Sequence, residues 1–253
     1  MSDSKNELAD LLICACSRVW DGDGEVLASG MGLIQRLGAS MAMVKNPDLM
    51  MTDSEAYMVS EPVPVGKRNG YQPKTETWMG FSRIFENLWS GRRHALVGPS
   101  QIDQFGQANI SALGDYAAPK VQMLGVRGFP GNSISHANSF FVPSHTARTF
   151  VAGEVDTVCS IGYNPARLPR GMSIADIDIR RIVSNLCVMD FAPETKQMRV
   201  ISLHPGVSIQ TVQENTSFEL LVLDDLPTTP APTSKELAIL EEIDPNNLRV
   251  NAI

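Results

Sequence analysis

The segment LMMTDSEAYMVSEPVPVG, Leu49 to Gly66, places three carboxylates, Asp53, Glu55 and Glu61, directly after the apolar triplet Leu49, Met50 and Met51. Asp53 and Glu55 are two residues apart and share a face if a strand continues through them. Two carboxylates on one face repel, which raises one pKa and suits the pair to acid–base chemistry. A solvated strand end would place the same residues there with no chemistry attached. A second candidate is VGPSQIDQFGQAN, Val97 to Asn109, where a strand ends at Gly98 and a polar loop with Pro99, Ser100, Gln101 and Asp103 follows. Backbone N–H groups in such a loop can face a carbonyl oxygen or a phosphate. A turn in which Asp103 and Gln101 satisfy their own backbone is the plainer use of those residues. A third is GVRGFPGNSISHANS, with glycines at 125, 128 and 131 around Arg127. Glycine permits close backbone approach to a ligand, and arginine meets phosphates and carboxylates. A surface loop explains that composition equally.

Other motifs carry less. Gly30 and Gly32 follow a strand and precede a helix, but the third glycine of a dinucleotide fingerprint is replaced by Gln35. A tight strand-to-helix turn is the expected use. His94, His136, His145 and His204 are scattered without metal-ligand spacing, and no metal site is expected. The cysteines, Cys14, Cys16, Cys159 and Cys187, form no CxxC and are expected to be buried thiols in a reducing compartment.

The elements that must position these residues alternate. Ser4 and Glu7 have capping-box spacing ahead of a helix with Leu8, Leu11, Leu12, Ala15 and Val19 in period. A DGDG turn, the strand EVLASG, the helix LIQRLGASMAMVK with Leu33, Leu37, Met41 and Val44 on one face, and the strand DLMMTD follow. HALVG, KVQMLG, SFFVP and TVCSIGY are short apolar strands ending at Gly, Pro or Asn. A hairpin is expected around Pro193–Lys196, a helix after the N-cap Ser208, a proline-rich connector at 224–233, and a last helix at 234–243 capped by Thr233 and Glu236. The pattern predicts an α/β fold, an open and mostly parallel sheet with helices on both faces, in a single domain of residues 1–253.

The chain carries a formal charge of −7 over 253 residues with 43% hydrophobic content. That supplies a large core and speaks against a nucleic-acid partner, which calls for a basic face. The N-terminus lacks the basic region of a signal peptide, and no apolar run reaches the ~18 residues of a membrane span. A soluble, cytoplasmic protein without a membrane partner is expected.

Taken together, the motifs resemble the β subunit of the family I CoA transferases, especially the glutaconate type, over nearly the whole chain. GPSQIDQFGQANISALGDYAAPK (98–120) is similar to the family's GGAQID, G-N and GDY-x-x-PK segments. GVRGFPGNSIS is similar to its glycine-rich loop, and ENTSFEL (214–220) to its ENTGF segment. The resemblance implies an open α/β subunit that meets an α partner around a site for CoA thioesters. In the transferases a β-subunit glutamate in VESG attacks the thioester. Here the matching residues read TDSE, and the position falls on Asp53. Aspartate is shorter by one methylene, about 1.5 Å, and a misplacement of about 1 Å can cost about 100-fold.

Within that superfamily the sequence resembles the branch of actinobacterial steroid ring-cleaving hydrolases, which cleave a C–C bond in a ring of a steroid-derived acyl-CoA during cholesterol catabolism. That resemblance implies a main catalytic glutamate from the α subunit, supporting roles for Asp53 and Glu55, an acyl-CoA pocket lined by Gly98, Ser100 and Gln101, and substrate contacts from Arg127 and Gly128. It implies an α2β2 assembly, coenzyme A present only as part of the substrate, and no permanently bound cofactor. Two alternatives stand beside it: a CoA transferase exchanging CoA between a dicarboxylic acyl-CoA and an acid, with Asp53 or Glu55 as nucleophile, and a non-catalytic scaffold subunit.

Overall fold

The computed structural model describes residues 2–54 and 56–253, with side chains from Asn6 onward apart from position 55. Along the chain run α1 (Ser2–Ser17), β1 (Leu27–Gly30), α2 (Leu33–Lys45), β2 (Met51–Asp53), β3 (Tyr57–Val59), β4 (Thr75–Trp78), α3 (Gly80–Trp89) and β5 (Arg93–Val97). Next come β6 (Gln101–Ile102), β7 (Ala108–Asn109), β8 (Ala112–Leu113), β9 (Val121–Gln122), α4 (Phe129–Ser135) and β10 (Ala137–Val142). Then follow β11 (Ile179–Ser184), β12 (Cys187–Phe191), β13 (Met198–Leu203), α5 (Ile209–Glu214), β14 (Leu221–Val222) and α6 (Ser234–Ile243). They gather into two compact units, residues 1–97 with 230–253, and residues 98–229.

In the first unit β1 and β5 pair in parallel from Leu27/Arg93 to Gly30/Leu96, and Met50 adds one parallel bridge to Leu27. The expected parallel strand DLMMTD does not continue past that bridge. Met51–Asp53 instead pairs antiparallel with β3, and β3 with β4, in a separate three-stranded sheet. A connection of three residues between Asp53 and Tyr57 closes at far lower entropic cost than a remote pairing.

α1 and α2 cross where Gly38 lies against Cys16. A Cβ on Gly38 would stand 2.8 Å from the Cys16 Cβ, so only glycine allows this approach. α1 already begins at Ser2, so Ser4 lies within the helix and not at the N-cap position expected for it. α2 spans the expected residues, but Val44 is 45% exposed. Burial of Leu37, Ala39, Met41 and Met43 makes the covered arc wider than one stripe and leaves Val44 outside it.

α6 starts with the expected capping box, Thr233 Oγ1 accepting from Glu236 N while Glu236 Oε2 accepts from Thr233 N. Glu236 also accepts from Lys45 Nζ at 2.7 Å and Arg18 Nη2 at 3.4 Å, tying α6 to α2 and to the end of α1. Burial opposes its ionisation, yet the Lys45 and Thr233 hydrogen bonds bring its carboxyl down to about 2. All four cysteines are free and buried.

In the second unit β10 and β11 are parallel, β11, β12 and β13 form an antiparallel meander, and β14 rejoins in parallel to β13. β10 is buried at every position, while β12 and β13 alternate buried and half-buried residues, as strands with one covered face do. The β12–β13 turn falls where the hairpin was expected, with Lys196 at φ 56°. Ser208 caps α5 by accepting from Thr211 N, also as expected. TVCSIGY forms no strand. Ser160 alone bridges Ala108, and Gly162 turns the chain at φ 55°. No helix among the described residues is long and apolar enough to cross a membrane.

Candidate functional site

β2 ends at Asp53 because Ser54 takes a left-handed φ of 55°, a conformation that costs a non-glycine residue about 1–2 kcal/mol. The expected continuous strand with Asp53 and Glu55 on one face is therefore absent: the backbone reverses at Ser54. Glu55 lies outside the described residues. Strain of this kind, held by the surrounding hairpin, gathers at functional positions.

Asp53 is gripped by Arg68, whose Nη1 donates to Oδ2 at 3.0 Å and Nη2 to Oδ1 at 2.5 Å. This two-pronged geometry is the strongest form of the pair. Arg36 donates to the Thr52 carbonyl at 2.7 Å and adds a second positive charge nearby. The Arg68 hydrogen bonds lead in holding the Asp53 carboxyl below its usual value, partial burial opposes them, and Arg36 assists. A depressed carboxyl contributes stability above its unfolded value of 3.8 and loses it as pH falls through the folded value. Near neutrality Asp53 is a fixed anion with both oxygens engaged, suited to orienting a water or a neighbouring donor and poorly suited to attack. Glu61 pairs instead with Lys74 at 2.7 Å and Tyr71 at 3.2 Å.

Sequence reasoning singled out neither Arg36 nor Arg68. The only signal was GKRNG, a basic pair between glycines, fifteen residues beyond Asp53. Gly66 (φ 90°), Asn69 (φ 45°) and Gly70 (φ 89°) bend that loop. A Cβ on Gly66 would meet Leu248 Cδ1 at 2.9 Å, so the C-terminal segment backs the loop that carries Arg68.

Gly98, Ser100 and Gln101 belong to the second unit, on the approach to the β6–β7 hairpin. Gly98 is exposed, Ser100 half-buried and Gln101 buried. Ser100 N donates to Asn109 O at 2.8 Å and Ile102 N to Thr149 O at 2.7 Å, so those amides are consumed by the fold. Gln101 donates Nε2 to Asp156 at 3.1 Å and accepts from Asn109 Nδ2 at 2.8 Å and Asp156 N at 3.0 Å. Its side chain shapes the loop. Ser100 Oγ reaches Met123 Sδ at 2.8 Å, which sets this loop beside the segment leading to Arg127. Arg127 (φ 53°) and Gly128 (φ 80°) are consecutive left-handed residues, both exposed. The expected glycine-rich loop then becomes α4, because Pro130 suits a first helical turn and Phe129 packs edge-on against Phe140 at 6.2 Å.

Asp103 closes the β6–β7 turn. Its Oδ1 accepts from Phe105 N at 2.9 Å and Gln107 N at 2.8 Å, while the fully buried Oδ2 meets no hydrogen-bond partner. Burial, opposed by those backbone donors, pushes its carboxyl up to about 7. Above its unfolded value of 3.8 the unfolded chain loses a proton that the folded chain keeps, so stability declines as pH rises from there to about 7. Each pH unit of that span is worth about 1.4 kcal/mol. The expected result is a Tm that drops several degrees between pH 5 and 7.5, and an Asp103→Asn variant with a flatter profile. Calorimetric scans showing equal slopes for the two proteins would exclude this assignment.

Among the described residues no group of three or more His, Cys, Asp or Glu is placed to hold a metal. No family model matches the chain. It is similar to the cholesterol ring-cleaving hydrolase IpdB subunit of Rhodococcus jostii (strain RHA1), 40% identical over 253 residues that cover 98% of each chain. It superposes on the crystal structure of Rhodococcus jostii RHA1 IpdAB with a TM-score of 0.88, at 38% identity, over 97% of this chain and 98% of that one. A glutaconate CoA-transferase subunit of Acidaminococcus fermentans is 31% identical over 238 residues, 88% of this chain and 87% of that one. The crystal structure of that transferase superposes with a TM-score of 0.81 at 25% identity, over 96% of each chain. The fold is thus the α/β fold of the CoA transferases.

Proposed function

This chain belongs to the family of the cholesterol ring-cleaving hydrolase IpdB subunits, and from that premise we propose that it is the β subunit of a heteromeric hydrolase that cleaves a C–C bond in the ring of a steroid-derived acyl-CoA. The 253 residues act as one β-subunit domain in a cytoplasmic α2β2 enzyme, with coenzyme A entering only as part of the substrate and no cofactor permanently bound.

The observation that carries the reading is the Arg68 clamp on Asp53. In a transferase the residue at this position must leave its resting contacts and attack a thioester. Here both oxygens are committed to Arg68, and the side chain is one methylene shorter. In the hydrolytic reaction water adds to a ring carbonyl. The bond to the carbon between two carbonyls breaks, and its electron pair is held as an enolate by the remaining carbonyl. A proton then returns to that carbon. The step needs a base and donors for the developing oxyanion, and no covalent carboxylate. The main glutamate comes from the α subunit. Asp53, supported by Glu55, orients water or that glutamate. Gly98 and Ser100 line the acyl-CoA pocket on a loop shaped by Gln101, and Arg127 with Gly128 contacts the substrate.

The test is turnover of the αβ complex with its acyl-CoA in 18O-labelled water, with hydroxylamine or borohydride added in parallel. The expected result is label in the new carboxylate and no modified residue at position 53 or 55. The likeness to glutaconate CoA-transferase favours a second reading, CoA exchange, and an adduct trapped at Asp53 or Glu55 would establish it. Unchanged turnover in Asp53→Ala, Glu55→Ala and Ser100→Ala would leave the chain a scaffold.

A further inference from the structure

The first unit exposes an aromatic surface that its own fold leaves bare. Phe81, Phe85 and Trp89 recur every fourth residue along α3, which sets them on one face of the helix, and they are 63%, 48% and 71% exposed. Phe85 and Trp89 stack with ring centroids 5.6 Å apart. Trp78 at the end of β4 is 63% exposed, and Tyr57 on β3 is 48% exposed. A Cβ on Gly80 would lie 3.1 Å from the Trp78 ring, so that indole lies over the start of α3. Leu88, seven residues beyond Phe81 and on the flank of the same stripe, is buried. At roughly 150–250 Å² per ring, the five expose about 500 Å² of aromatic surface. A stable interface takes about 800 Å² per partner.

We propose that this face of β4 and α3 is the seat of the enzyme's α subunit. The inference rests on the reading of the chain as one half of a heteromeric site. The occupant is chosen by register: Asp53 pairs with Tyr57, and Tyr57 with Trp78. Strands lie about 4.8 Å apart, so the backbone of Tyr57 stands about 5 Å and that of Trp78 about 10 Å from the backbone of Asp53. Whatever covers the rings reaches the neighbourhood of Asp53. A second copy of this chain would bring only another Arg68-bound aspartate there, whereas the α subunit brings the missing glutamate.

Two of the chain's three tryptophans, Trp78 and Trp89, lie on this face, and the third, Trp20, is buried at 1% exposure. Titrating the β subunit with purified α subunit is expected to blue-shift the indole emission and suppress acrylamide quenching. A Phe85→Ser/Trp89→Ser double variant is expected to bind the α subunit at least about 100-fold more weakly, with its own Tm unchanged. Leu237→Ser on α6 should bind normally. Should the double variant fold poorly, Phe81→Ser alone provides the same comparison. Wild-type affinity in the folded variants overturns the proposal. So does an unshifted emission, or a β-subunit dimer that these substitutions dissociate while α binding persists. Tight α binding through this face without ring hydrolysis would sink the proposed reaction and leave the surface standing. Hydrolysis by variants with unchanged affinity would do the reverse.

Discussion

Replacing Arg68 by methionine is expected to lower ring hydrolysis by the αβ complex about 100-fold, with KM changed little and the complex still assembled. The clamp sets both the place and the charge of Asp53. Without it the carboxyl loses its largest source of depression and its side chain is free to rotate, and an error of about 1 Å in a positioning group is worth about that factor. Arg68→Lys should fall between the two, because lysine restores a charge without the two-pronged geometry. The pH profile separates positioning from mere structure. The wild-type complex should show no loss of activity attributable to Asp53 until the pH falls below 3.8, whereas Arg68→Met should lose activity at higher pH. Steady-state rates across pH 4–8, with gel filtration to confirm assembly, provide the check. Wild-type turnover in Arg68→Met would remove Asp53 from the reaction.

The second large effect is on stability. A Cβ at Gly162 would stand 2.4 Å from Gln107 N and 2.5 Å from Gly106 C and Phe105 O, at a φ of 55°. These are backbone atoms of the β6–β7 turn and cannot swing aside as a side-chain tip would. Gly162→Ala is therefore expected to cost at least about 3 kcal/mol, near 10 °C in Tm for a unit of this size. It should also loosen the Tyr163 N to Phe105 O bond of 2.7 Å. Gly153 is the control. Its φ is 75° but nothing lies within 4 Å of the added carbon, so Gly153→Ala pays only the left-handed penalty of about 1–2 kcal/mol. Equal Tm losses in the two variants would mean that steric closeness at Gly162 is not what holds the turn.

Much was legible in the chain itself. The limits of α2 and α6, the Ser208 cap and the β12–β13 hairpin follow from signals confined to a few neighbouring residues, and the structure places all of them where expected. The motifs at 98–120, 125–135 and 214–220 likewise pointed to the CoA-transferase fold, since their order and spacing are properties of the sequence. α3 was not anticipated. The signal was nevertheless present, since Phe81, Ile84, Phe85, Leu88 and Trp89 fall at i, i+3, i+4, i+7 and i+8; what the spacing does not reveal is that most of this apolar face is left exposed by the fold.

What the tertiary structure alone decided is the state of Asp53. The resemblance read from the sequence sets Asp53 against the transferases' glutamate, because identity and spacing are local. That its carboxylate is clamped depends on a glycine-bent loop fifteen residues away and on the C-terminal segment packed behind Gly66. The departure of β2 from its parallel alignment depends on competition between hairpin closure and remote pairing. Both outcomes are set by which distant groups come within a few ångströms, and electrostatic and packing energies fall off too steeply with distance for linear order to reveal them.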